Sequence, residues 1–130
     1  MTISGRLILI SLIIYLITAC SPGITLDLDK VKWKNDHEGC SGYRMNVYQH
    51  IMQNKEKLLG LSNKKIIQLM GNPNINELYT RNQKFFIYRV SPAPSCSSNT
   101  ITPDLFLIFR FNATGLVNEI YLNDESSPTC

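Results

Sequence analysis

The sequence opens on an apolar run from Leu7 to Ile17, broken only by Ser11 and Tyr15, with Arg6 ahead of it and Thr18, Ala19 and Cys20 behind. A charged start, a short apolar stretch and small residues at its end form the pattern of a cleaved secretory signal. The stretch is too short to cross roughly 30 Å of hydrocarbon, which takes about 20 residues, so a permanent membrane span is the weaker reading. Taking the first 19 of 130 residues out of the fold leaves 111 for a single small domain. Arg6 is the only charge lost with them, so 12 of the 13 Lys+Arg face 10 Asp+Glu and the net charge falls near +2. That balance carries no electrostatic footprint for nucleic acid. The 7 Gly and 6 Pro are too few, and Ile, Leu, Phe and Tyr too frequent, for a disordered or collagenous chain. No catalytic signature stands out, so the chain reads as a non-enzyme without a cofactor.

The end of the leader is more specific. Ile17, Thr18, Ala19 and Cys20 resemble the bacterial lipobox, in which an aliphatic residue and two small ones precede a cysteine that becomes a lipidated N-terminus. The small residues admit the backbone to the peptidase, and the thiol takes the diacylglyceryl group. The alternative is an ordinary signal peptide that contains a cysteine. The resemblance implies three acyl chains on Cys20, each buried methylene adding roughly 0.8 kcal/mol of anchoring to the bilayer. Ser21 follows where an aspartate is read as an inner-membrane retention signal, so the expected address is the periplasmic face of the outer membrane. The expected layout is a signal peptide over 1–19, a lipidated tether over 20–34, a domain over 35–122 and a polar tail over 123–130.

With Cys20 lipidated, Cys40, Cys96 and Cys130 remain in an oxidising compartment, and three thiols allow one intramolecular bridge. Cys130 ends the chain behind a polar tail, where fraying is usual. Cys40 with Cys96 is therefore the leading pair; Cys96 with Cys130 is its rival.

Periodicity orders the rest. Ile24, Leu26 and Leu28 alternate in a segment read as extended and irregular up to Lys34, and Asp36 to Gly42 is turn-forming. Val47, Tyr48, Ile51, Met52, Leu58 and Leu59 predict a helix over 43–59. A second follows with Ser62 as N-cap, Leu61 as staple, Ile66, Ile67, Leu69 and Met70 as its apolar stripe, Gly71 at a left-handed C′ position and Pro73 barring continuation. The period then becomes strand-like, with strands over 78–80, 84–90, 104–111 and 116–122. A long loop runs from Ser91 to Pro103, and Asn112 to Gly115 form a turn rather than a glycosylation site. The strand over 104–111 is apolar on both faces, which predicts cover on each side. The fold class is α+β: two N-terminal helices on one face of a three- to four-stranded antiparallel meander.

Gly60 to Pro73, the aromatic strands and the Phe111 to Val117 turn resemble the α-α-β-β-β module of BamE (SmpA/OmlA) lipoproteins, an arrangement also found in the β-lactamase inhibitory protein. Asn35 to Arg44 with Glu77 to Phe86 resembles small lipoproteins of Bacteroidota. The resemblance implies a non-catalytic module that binds another envelope protein through its sheet. Trp33, Tyr79, Phe86, Tyr88, Phe106 and Tyr121 cannot all lie under two short helices, so a partner-binding set of Tyr79, Phe86, Tyr88 and Tyr121 is expected on the open face. The competing reading is ordinary half-buried strand aromatics.

Asp36, His37, Glu38 and Cys40 lie within five positions and His50 follows, which raises a metal site or a small hydrolase. No CxxC, HxxxH or HExxH spacing supports either, and a bridged Cys40 has no thiol to attack with. Lys55, Lys57, Lys64 and Lys65 are read as solvated helix faces.

Overall fold

The computed structural model describes residues 26–97 and 102–124. Cys20, Cys130 and the leader lie outside them.

Among the described residues three helices precede the sheet. The first, α1 (Lys30–Asn35), is capped by Asp29, whose Oδ1 accepts from the N–H groups of Val31 and Lys32, both at 3.1 Å. It lies in the stretch expected to be an extended tether, and it belongs to the fold: Trp33 is fully buried, Leu26 is buried and Leu28 packs on the core. Six residues make fewer than two turns, so no apolar period announces this helix.

The second, α2 (Tyr43–Gln53), stops short of the expected Leu59. Asn54 ends it by donating from both its backbone N (3.2 Å) and its Nδ2 (2.9 Å) to the His50 carbonyl, an intrusion that favours leaving the helix. A 3₁₀ turn over Lys55–Lys57 then brings Leu58 into the core and the Gly60 N–H to the Val117 carbonyl at 2.8 Å.

The third, α3 (Asn63–Met70), has the predicted cap, with Ser62 Oγ accepting from the Lys65 N–H at 3.2 Å. Gly71 has the positive φ expected of it (74°), but its ψ of −174° lies outside the left-handed helical well, in a region open to glycine alone.

Strands β1 (Ile75–Tyr79), β2 (Gln83–Arg89), β3 (Leu105–Phe111) and β4 (Val117–Asp124) pair antiparallel in chain order. The chain is an α+β domain whose sheet is a four-stranded meander. β1 begins three residues earlier than predicted, and β4 runs two residues into the expected polar tail, where Asn123 pairs with Phe106 and Asp124 with Leu105. The β3–β4 turn is tied by Asn112, whose Oδ1 accepts from the Thr114 N–H, the Thr114 hydroxyl and the Leu116 N–H at 2.7–3.0 Å.

Phe86, Tyr88, Leu107, Phe109, Phe111, Val117 and Ile120 point from the sheet into one buried cluster with Trp33, Ile51, Leu58, Ile66, Leu69 and Met70 from the helical layer. Edge-to-face pairs stitch it together: Phe86 on Phe111 at 4.6 Å and Tyr88 on Phe109 at 5.5 Å between ring centroids. Outside the cluster, Cys40 and Cys96 are bridged, with Cα atoms 5.4 Å apart. The leading pairing is the one formed.

Candidate functional site

Strand alternation decides what the other sheet face presents. Opposed residues of paired strands share a face, so the register Ile75–Ile87, Ile87–Ile108, Ile108–Tyr121 draws one apolar row across all four strands. With strands about 4.8 Å apart, the row is roughly 14 Å long. On one side lies the row Glu77, Phe85, Arg110, Glu119, and on the other Arg89, Phe106 and Asn123. Among the described residues no helix or strand covers this face.

The flanking charges are held in place. Arg110 donates to Glu119 Oε2 (3.2 Å) and Gln83 Oε1 (3.1 Å). Arg89 donates to Asp104 Oδ1 at 2.8 Å and lies over the Phe106 ring at 4.8 Å. Tyr79 stacks edge-on against Phe85 at 5.0 Å. A hydrogen bond to the Glu77 carboxylate raises the Tyr79 phenol above its usual pKa; partial burial does the same for Tyr121. Both phenols stay neutral and able to donate.

The expected binding set is therefore split. Tyr79 is 56% exposed and Tyr121 is half-buried, both on the open face. Phe86 and Tyr88 are buried on the opposite side, against the helices, and the expectation for them is corrected. Tyr88 donates to the Gly71 carbonyl at 2.8 Å, and burial pushes its pKa well up. Phe85, Phe86, Ile87 and Tyr88 are apolar at every position, so β2 offers no parity from which to read its inner face. The residues that occupy the open face instead are Phe85, Ile87, Phe106 and Ile108. The cover predicted on both sides of β3 comes from the helices on one side; on the outer side no helix or strand among the described residues lies over it, yet Ile108 is only 6% exposed and Phe106 is half-buried.

The Asp36 to Cys40 turn is built differently from a metal site. Both oxygens of buried Asp36 accept backbone N–H groups at 2.9 Å, Oδ1 from Ser41 and Oδ2 from Arg44. They do the capping that Gly42, at the N-cap of α2, has no side chain to do. His37 Nδ1 lies 3.1 Å from Glu38 Oε1, Cys40 is consumed in its bridge and His50 sits on the last turn of α2. Among the described residues no three His, Cys, Asp or Glu are grouped to hold a metal ion.

What sequence reasoning missed is Arg44, fully buried at the start of α2. Its Nε donates to the Trp33 carbonyl at 3.0 Å, and its Nη1 to Asn74 Oδ1 and the Arg89 carbonyl, both at 3.0 Å, and to the His37 carbonyl at 3.4 Å. Its guanidinium lies 4.6 Å over the Trp33 ring. Asn74 completes the hub, accepting also from the Arg89 N–H (2.8 Å) and donating to the His37 carbonyl (2.7 Å). Desolvation lowers the Arg44 pKa, an effect that Asp36 partly opposes. An arginine at a helix start reads as a surface residue; only the converging carbonyls mark it otherwise.

Comparison with known proteins finds no matching family model and no matching curated relative. Among the described residues no helix is long and apolar enough to cross a membrane.

Proposed function

We propose that this chain is a lipid-anchored module of the bacterial envelope, held to the periplasmic face of the outer membrane by acylated Cys20, that binds another envelope protein through its open sheet face. The observation that carries this reading is the apolar row Ile75, Ile87, Ile108 and Tyr121, bordered by oriented Arg89 and Arg110. Apolar and aromatic centres with arginine at the border are the composition of protein-binding surfaces. A non-catalytic role, and kinship with BamE-type lipoproteins, are parts of the same proposal; the helix-then-meander order supports the kinship. The loop from Ser91 to Pro103 is its second candidate contact, with residues 98–101 outside those described.

Two expected results test it. A photocrosslinking residue at position 75 or 121 of the full-length protein should trap an envelope protein, and Ile75→Asp should abolish an adduct formed from position 121. Adducts no more enriched than those of an equally abundant lipoprotein would remove the binding role. The anchor is checked separately: Cys20→Ala should leave the precursor uncleaved and unlabelled by radioactive palmitate, and persistent labelling would refute acylation at Cys20.

A further inference from the structure

On the helical side of the domain, away from the open sheet face, an open cavity of about 460 Å³ lies where the end of α1, the turn after it, the start of α2 and the end of α3 converge. Lys34, His37, Arg44 and Asn72 line its polar part, and Ile67 and Met70 its apolar part. Gly71 lines it too, and a Cβ there would meet Lys34 Cγ at 2.9 Å, so the glycine lets the lysine stem lie flat along the wall. Among the described residues Lys34 makes one hydrogen bond, from Nζ to the Gln68 carbonyl at 3.4 Å.

Arg44 gives this cavity its character. Every acceptor that its Nε and Nη1 reach is neutral, three backbone carbonyls and one amide oxygen, and its Nη2 has no partner. No carboxylate lies within ion-pair distance among the described residues. The ring faces of Trp33 (4.6 Å) and Tyr88 (6.0 Å) stabilise the guanidinium but do not neutralise it. A buried cation whose direct hydrogen bonds all go to neutral acceptors, with Asp36 acting only at longer range, is costly, and a bound anion offsets that cost.

We propose that the cavity is a binding site for a small organic monocarboxylate with a short apolar chain. The carboxylate takes direct hydrogen bonds from Lys34 and Asn72 at the mouth and lies over the Arg44 charge in a setting of low dielectric, while the chain packs on Ile67 and Met70. Asp36 and Glu38 stand nearby, one occupied by backbone N–H groups and the other against His37, and their charges repel a second negative charge on the ligand, so one carboxylate held by direct contacts is favoured over a doubly charged phosphate. Because this site is separate from the sheet face, its fate does not depend on the binding role proposed there.

Trp33 is the only tryptophan, and it stacks under Arg44, so its fluorescence reports on the site. Titrating the full-length protein in detergent with hexanoate should give a saturable change in that fluorescence, with inorganic phosphate at least tenfold weaker. Hexanamide, of the same shape and apolar chain, should give none. Lys34→Met should weaken hexanoate about tenfold, the loss of one charge-assisted contact, without moving the thermal midpoint, because Lys34 is exposed. Arg44→Lys keeps a cation at the floor and should retain weaker binding. Equal responses to hexanoate and hexanamide, tighter binding of phosphate, or an unchanged isotherm for Lys34→Met would each overturn the proposal.

Discussion

Trp33→Ala is expected to cost the domain about 3–5 kcal/mol, a large share of the roughly 5–15 kcal/mol that holds a protein of this size together. The indole has no exposed surface and its centroid lies 6.2 Å from that of Tyr88. It carries the Arg44 guanidinium on its face, and its carbonyl accepts from Arg44 Nε. Truncation leaves a cavity under α1 and strips one face from a buried cation, and α1 has no other buried side chain with which to fill the space. The thermal midpoint, followed by circular dichroism, should fall by roughly 15–30 °C. Trp33→Phe should cost less than half as much. It keeps a ring on Tyr88 and under Arg44, and Trp33 Nε1 has no hydrogen-bond partner to lose. A Trp33→Ala protein within about 0.5 kcal/mol of wild type, the range of ordinary surface substitutions, would mean that α1 does not belong to the fold and that the chain is a tether up to Lys34.

The contrast between α1 and α3 explains what the sequence makes legible. In α3 the signals are local: Ser62 caps through its own Oγ, Gly71 supplies a positive φ and Pro73 bars continuation, so its limits follow from the residues themselves. Short runs rich in aromatic and β-branched residues, separated by turn residues such as Asn112, make the meander readable in the same way. In α1 the determining fact is tertiary, one tryptophan meeting Tyr88 and Arg44, which lie 55 and 11 residues further along the chain. The sites divide similarly. The open face was expected from an excess of aromatics, yet which ones occupy it depended on the parity of β2, which its uniformly apolar run conceals. Arg44 was illegible because its partners, Asn74 and the Arg89 carbonyl, are 30 and 45 residues distant. Charge and hydropathy describe a residue; burial is decided by what folds over it.

Breaking the Cys40–Cys96 bridge is expected to cost about 4 kcal/mol, the chain-entropy value for a loop with a sequence separation of 56. The bridge joins the turn before α2 to the loop after β2, and the native state holds these segments together independently. The Ala93 N–H donates to the Glu38 carbonyl at 2.9 Å. Gly39 approaches the Ser91 carbonyl so closely that a Cβ would meet its oxygen at 2.5 Å. Those contacts survive loss of the bridge, so the folded state changes little and the effect falls on the unfolded chain, which regains its freedom. Cys40→Ser and Cys96→Ser should therefore lower the thermal midpoint by similar amounts, and the double variant should cost little more than either. Reducing the wild-type protein should reproduce the double variant. Cys130→Ser should be nearly silent, since both bridge positions are already taken by other residues. Non-reducing peptide mapping that joins Cys96 to Cys130, or that finds Cys40 alkylated in the native protein, would reject the pairing and return the loop after β2 to the polar tail.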